Sequence, residues 1–258
     1  MTQLAIDLPY RPALGRADFL VSACNAAALG WIERWPDWPS LAQATLALSP
    51  SGEAQLCGEA RALVLYGPAG SGKTHLAHLW CERSGGTLVP ADALQRVGLP
   101  IEPPMAPPIE PNELAGRGAV AVDDAVRAPE QALLHLYNCC SEAGASLLVV
   151  ARDAPARWPI ALPDLASRLR AAPCVAIALP DDALLAALLV KHFADRQVRV
   201  APGVIAFLVR RMERSFAAAA ALAARLDRMA LSAGRPIGIA LARLVLAEVD
   251  GQPSVVNP

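Results

Sequence analysis

Residues 67 to 75 read GPAGSGKTH, and the types and spacing are those of a phosphate cradle. Gly67, Gly72, Lys73 and Thr74 fill the pattern G-x-x-x-x-G-K-[ST], with Pro68, Ala69, Gly70 and Ser71 between them. Glycines let backbone N–H groups turn inward on phosphate oxygens, and Lys73 neutralises their charge. Thr74 offers a hydroxyl to Mg²⁺, and His75 lies on the first turn of a helix whose positive N-terminus faces the anion. The chemistry predicted is the binding of ADP or ATP with Mg²⁺. Further on, GAVAVDDA over residues 118–125 is an apolar run ending in two carboxylates. In a phosphate-loop protein such a run places Asp123 where it holds Mg²⁺ through water, and Asp124 beside the terminal phosphate, orienting the attacking water. Asp124 is also placed to serve in part as an N-cap for the following helix.

These side chains need a sheet to hold them. ALVLY before the first glycine is a buried-strand run, and THLAHLW after the loop carries Leu76, Leu79 and Trp80 at the spacing of a helix face packed on that sheet. TLVPAD (87–92), ASLLVVAR (145–152) and CVAIAL (174–179) predict further strands. Helices are predicted from Pro129 to about Ala143, with Leu133, Leu136, Tyr137 and Cys140 on one face, and in LPDLASRLR. An earlier helix, SACNAAALGWIERW, reads as capped by Ser22 and closed by Pro36. Strands alternating with helices predict a parallel α/β sheet with nucleotide at the carboxyl ends of its strands. The proline-dense stretch 97–118, with prolines from Pro100 to Pro111, predicts a surface excursion. From Pro180 onward only helical patterns occur, Asp181 capping the first and Gly234 closing the third. The division predicted is a tail over 1–20, an α/β core over 21–179 and a helical lid over 180–258.

Composition narrows the function classes. A formal net charge of −1 over 258 residues offers no electrostatic footprint for gripping DNA or an anionic membrane. The six cysteines lack C-x-x-C spacing and fall mostly in apolar stretches, as expected of reduced thiols in the cytoplasm. The amino terminus lacks the signature of a secretion signal, and no apolar run has the length of a membrane span.

The order of phosphate loop, VAVDD, LLVVAR, LPDLASRLR and helical lid resembles the AAA+ ATPases and, within them, the DnaA clade. The stretches DFLVSACNAAALGWIERWPDWP, PARWPIALPDLASRLRA, LLVKHFADRQ and VRRMERSFAAA resemble the Hda family of DnaA-related regulators in its alphaproteobacterial form. The resemblance implies partners and roles. Members bring the β sliding clamp of DNA polymerase III to DnaA through an amino-terminal peptide, matched here by Gln3, Leu4, Ile6 and Leu8 of QLAIDL. Such peptides bind extended, with apolar side chains in a groove. Arg168 matches the arginine finger, which stabilises charge on a neighbour's terminal phosphate. DnaA-type initiators carry a basic helix-turn-helix domain after the lid; this sequence ends at GQPSVVNP, so no direct reading of origin DNA is expected.

Two departures bear on turnover. Where the family places a polar sensor at the end of its fourth strand, this chain has Val150 and Ala151, with Arg152 and Asp153 beyond; where a lid arginine reaches the nucleotide it has Ala217, with Arg214 a turn away. The expectation is slow intrinsic hydrolysis, the nucleotide organising core and lid, and catalysis supplied in trans by Arg168 on DnaA's ATP. A helicase-loader-like ATPase acting on its own nucleotide, with self-association into a ring, and a non-catalytic clamp and DnaA scaffold share the same motifs.

Overall fold

The computed structural model describes residues 14–38, 61–96 and 111–250. The clamp-peptide positions Gln3, Leu4, Ile6 and Leu8, and most of the proline-dense stretch, lie outside the described residues.

Five strands form one parallel sheet: β1 (Arg61–Tyr66), β2 (Thr87–Pro90), β3 (Ala119–Asp123), β4 (Ser146–Ala151) and β5 (Cys174–Ala176), in the spatial order β2-β3-β4-β1-β5. The phosphate-loop strand β1 is thus flanked by β4 on one side, Tyr66 opposite Ala151, and by β5 on the other, Tyr66 opposite Ala176. Alternation along the strands explains the two apolar layers. Ala62, Val64, Val120, Val122, Leu147 and Val149 face one side, where they meet α4 (Glu130–Ala143) and α5 (Pro163–Ala171) through Leu133, Leu136, Tyr137, Leu165 and Leu169. Leu63, Leu65, Ala121, Leu148 and Val150 face the other, against α1 (Ala26–Arg34) and α2 (Lys73–Ser84). A strand buried on both faces cannot alternate apolar with polar, which is why these runs read as continuous.

On the α1 side four tryptophans gather. Trp38 stacks on Trp80 of α2 at 5.2 Å and 11°, Trp35 meets Trp80 edge-on at 6.2 Å, and the Trp38 indole N–H donates to the Trp31 carbonyl at 2.7 Å. This cluster fastens the segment before the sheet to the back of the phosphate-loop helix.

The carboxyl-terminal helices are α6 (Asp182–Asp195), α7 (Pro202–Val209), α8 (Phe216–Ala233) and α9 (Ile239–Asp250). They bury a separate cluster that includes Leu189, Phe193, Leu208, Leu222, Leu226 and Val245. Asp181 caps α6, its carboxylate accepting from Leu184 N at 2.7 Å, and Gly234 closes α8 with φ 57°. Ser215 caps α8 through Ala218 N at 3.0 Å.

Several local readings are corrected. Ser22 does not cap α1: the helix begins at Ala26, and the Asn25 side chain accepts from Ser22 N while donating to the Leu20 carbonyl, closing a turn ahead of the helix. Asp124 caps no helix by its side chain, because its φ of 52° turns the chain into a short 3-10 segment before α4 starts at Glu130. The end of the proline-dense stretch is not a surface excursion: Pro111–Ala115 form α3, with Pro111, Leu114 and Ala115 buried. Proline is compatible with a first helical turn, where its missing N–H has no partner to lose. TLVPAD stops pairing at Pro90 and passes into a 3-10 turn, and in CVAIAL the strand ends at Ala176, Ile177 N still donating to the Tyr66 carbonyl at 2.7 Å before the chain leaves the sheet edge. Arg214 precedes α8 instead of riding on it, and its guanidinium pairs with Asp182 at 2.8 Å.

Candidate functional site: a phosphate loop between sheet and lid

β1 delivers the chain to Gly67 at the carboxyl end of the sheet, and Gly67 N donates to the Ala151 carbonyl at 3.3 Å. A methyl group at Gly67 would stand 2.7 Å from the Ile177 carbonyl oxygen, so only glycine fits between β1 and the segment after β5. The loop closes on Lys73, whose ammonium donates to the carbonyls of Gly67 at 2.7 Å and Pro68 at 2.6 Å, with Ser71 Oγ at 3.4 Å. Burial pushes the Lys73 amine below its ordinary range; the Asp123 carboxylate opposes this and the Arg152 charge adds to it. Lys73, Thr74 and His75 are the first turn of α2, and their N–H groups have no carbonyl within the helix to bond. Backbone donors, an ammonium and a helix N-terminus therefore converge on one spot, an arrangement suited to a polyphosphate.

Thr74 Oγ1 donates to Asp123 Oδ2 at 2.7 Å, bringing together the two predicted metal ligands. Both are hard oxygen donors, and two protein ligands fit Mg²⁺, which keeps several waters and takes its remaining oxygens from nucleotide phosphates. Asp124 N donates to Asp123 Oδ1 at 2.9 Å, fixing that carboxylate, while the Asp124 carboxylate faces Arg127 at 3.7 Å. His75 turns away from the loop: its Nε2 meets the Gly15 carbonyl at 3.0 Å and its ring meets Phe19 edge-on at 5.3 Å.

Beside the loop lies a cavity of about 240 Å³ lined by Phe19, Asn25, Gly70, His75, Leu188 and His192, among others. It adjoins the phosphate cradle and is shared by the amino-terminal segment, the loop and α6, so it suits the base and sugar of a nucleotide. Phe19, Asn25, Leu188 and His192 were not singled out as site residues from the sequence; the aromatic in ADFL ahead of α1 was the available signal. The lid also touches the loop directly: a methyl group at Gly70 would lie 3.2 Å from Ala217 N. Ala217 thus sits at the first turn of α8 against the phosphate loop, and it brings no charge there.

Arg168 is elsewhere. It lies in the last turn of α5, its Nε donating to Asp164 Oδ1 at 3.0 Å and its guanidinium 5.3 Å from the centre of the Tyr137 ring. Its side chain is 35% exposed. Cys81 and Cys140 are buried packing groups: burial pushes Cys81 up to about 11 and Cys140 up to about 12. Among the described residues no helix is long and apolar enough to cross a membrane.

No protein-family model matches this chain, and no curated protein does. Solved structures do. Domain III of the Thermotoga maritima replication initiation protein DnaA superposes with a TM-score of 0.67 at 16% identity, over 95% of this chain and 100% of that one. The Thermotoga maritima RuvB Holliday junction branch migration motor gives 0.61 at 14% identity, over 93% and 73%. AMPPCP-bound DnaA from Aquifex aeolicus gives 0.54 at 16%, over 80% and 62%. At such identities the likeness is one of fold, a parallel sheet carrying a phosphate loop and followed by a set of helices.

Proposed function

We propose that the chain binds ADP or ATP with Mg²⁺ as a structural and switching ligand and acts as a regulator of replication initiation, stimulating hydrolysis of DnaA-bound ATP. The observation that carries this is the separation of two half-sites. A phosphate cradle with Thr74 and Asp123 poised for Mg²⁺ stands at the sheet end, while Arg168 stands on α5, held by Asp164. Asp164 engages Arg168 through Nε, and the terminal N–H groups of the guanidinium carry the chemistry by which an arginine finger meets a partner's phosphate. Within the chain's own pocket Ala217 contributes no cation at the lid contact, which supports slow intrinsic turnover.

In this reading Lys73 and the loop N–H groups hold the phosphates, Asp123 and Thr74 hold Mg²⁺, and Asp124 orients water at the chain's own nucleotide. Arg168 supplies charge stabilisation to DnaA's nucleotide in trans. The amino-terminal Gln3, Leu4, Ile6 and Leu8 tether the protein to the DNA-loaded clamp, and the helical unit from residue 180 closes on the bound nucleotide. The likeness of fold to DnaA domain III supports the DnaA-related reading.

The test is hydrolysis of ATP pre-bound to DnaA with DNA-loaded clamp present, comparing wild type with Arg168→Ala. Stimulation that the variant loses by about 10³-fold or more is expected. Wild type failing to stimulate sinks the regulatory reading, and fast turnover of its own ATP without partners leaves a self-acting AAA+ ATPase instead.

A further inference from the structure

Charge is unevenly divided along this chain. Residues 180–258 carry ten lysines and arginines against seven aspartates and glutamates, so the formal charge of −1 joins a carboxyl-terminal part three units positive to a remainder four units negative. Most carboxylates of the helical part are already engaged. Asp181 caps α6, Asp182 pairs with Arg214, Asp195 with Lys191, Asp227 with Arg196 and Glu248 with Arg225. Arg210, Arg211 and Arg243 take part in no ion pair among the described residues.

Two of these arginines meet on one ring. The Arg211 guanidinium carbon lies 4.1 Å from the centre of the Phe207 ring on α7, and a terminal nitrogen donates to the Phe207 carbonyl at 3.4 Å. Arg243 reaches the same ring from α9 at 5.7 Å. Arg210 is exposed at the end of α7, next to Arg211. Phe207 is itself half-buried against the apolar cluster of the helices, so the ring is a fixed platform. One turn earlier on the same face, a methyl group at Gly203 would meet nothing within 4 Å, so the surface there is open. A ring quadrupole attracts each guanidinium, but cations gathered on it repel one another until an anion lies over them.

We propose that Phe207, Arg210, Arg211 and Arg243 form a nucleic-acid contact surface on the carboxyl-terminal helices, one that takes the phosphate backbone without reading its sequence. All three cations are arginines, whose planar forks engage two oxygens of one phosphate. A phosphodiester backbone offers anions in a continuous, closely spaced row, which suits cations presented side by side from two helices. Contacts of this kind position a protein on nucleic acid and carry no sequence information. Resting on Phe207 holds the guanidinium of Arg211 in place, so less freedom is lost on binding. The negative remainder of the chain is repelled by the same polyanion, which turns the helical part toward it. None of the four residues lines the cavity beside the phosphate loop, and the inference needs neither the nucleotide nor the DnaA reading.

The experiment is fluorescence anisotropy of a labelled mixed-sequence DNA duplex, and of its single strand, titrated with the full chain at stepped salt without nucleotide. Wild type is expected to bind with Kd of about 10⁻⁶ to 10⁻⁴ M. Its log affinity should fall against log salt with a slope of about −2.7 on duplex or about −2.1 on a single strand, as three phosphate contacts require. Arg211→Ala and Arg243→Ala should each weaken binding about 5- to 10-fold and remove one contact from the slope, and the triple alanine variant of Arg210, Arg211 and Arg243 should abolish it. Phe207→Leu, checked for folding by thermal unfolding, keeps the cations and should weaken binding only about 2- to 5-fold with the slope unchanged. Arg170→Ala, an exposed arginine on α5, should change neither quantity. Wild type that binds neither probe at low salt overturns the proposal, and so does binding that the triple variant retains. Poly-glutamate bound by wild type and lost in the triple variant, with no binding of DNA, assigns the surface to an acidic protein and overturns the nucleic-acid assignment.

Discussion

Gly67→Ala isolates the geometry that sets the phosphate loop. The added methyl group would lie 2.7 Å from the Ile177 carbonyl oxygen and 3.0 Å from Ile177 Cβ. Neither neighbour can yield easily: Ile177 is buried and its N–H donates to the Tyr66 carbonyl at 2.7 Å, tying it to β1 itself. The loop must therefore move, at an overpacking cost of about 2 kcal/mol. For a domain of this size each kcal/mol lowers Tm by roughly 2–4 °C, so a fall of about 4–8 °C is expected. The same movement carries the Gly67 and Pro68 carbonyls away from Lys73, and ADP affinity should drop at least about ten-fold, measured calorimetrically. Gly85→Ala is the control. Its φ of 67° makes a side chain cost about 1 kcal/mol, yet a methyl group there meets nothing within 4 Å. That variant should lose roughly 2–4 °C and keep its ADP affinity. Equal ADP binding by both variants, or a Gly67→Ala protein as stable as wild type, refutes the reasoning.

Further predictions concern the metal, the lid and the core. Asp123→Asn should abolish the tightening of ADP binding by Mg²⁺ seen in a chelator titration, while Mg²⁺-free affinity changes little; an unaltered Mg²⁺ effect removes Asp123 from the metal. Trp80→Ala empties a fully buried position stacked on Trp38 and should cost about 3–5 kcal/mol by denaturant unfolding. Asp181→Ala removes the α6 cap and should cost about 1 kcal/mol with an unchanged denaturant slope. His192 has its imidazole pushed below the ordinary value by burial and by Arg196 and Lys191, with Asp195 opposing. The unfolded chain then takes up the proton first, so stability falls as pH drops from the ordinary histidine range near 6.5 toward the lowered folded value. His192→Gln should flatten that part of the curve in thermal scans at stepped pH.

Much of the fold was legible because each signal was local. A phosphate loop between an apolar run and an amphipathic helix fixes strand, turn and helix at once, and VAVDD marks the end of a second strand in the same way. The misreadings arose where a partner distant in sequence decides the structure. Pro111–Ala115 form a helix because Leu114 is buried against the sheet layer, a contact that proline counting cannot see. Ser22 looked like a cap by residue type, but the buried Asn25 side chain spans from Ser22 N to the Leu20 carbonyl and holds the chain in a turn instead.

The site divides along the same line. Thr74 and Asp123 were readable as a pair because the loop and the strand end are separate local signatures that a parallel sheet must bring to one end; their 2.7 Å contact follows from the order β3-β4-β1. The base pocket was not readable, since Phe19, Gly70 and His192 belong to three segments whose meeting depends on how the lid docks. Ala217 shows what that docking means. The position faces the loop at Gly70, where an arginine would add a third cation beside Lys73 and Arg152. If bound nucleotide is held here for structure and not for turnover, Ala217→Arg should tighten AMPPCP over ADP without disturbing the fold, because the added charge meets only the terminal phosphates. An arginine there that weakens both nucleotides alike would mean that α8 is packed too closely on the loop to admit any side chain, and that the lid excludes the chemistry by contact instead of by charge.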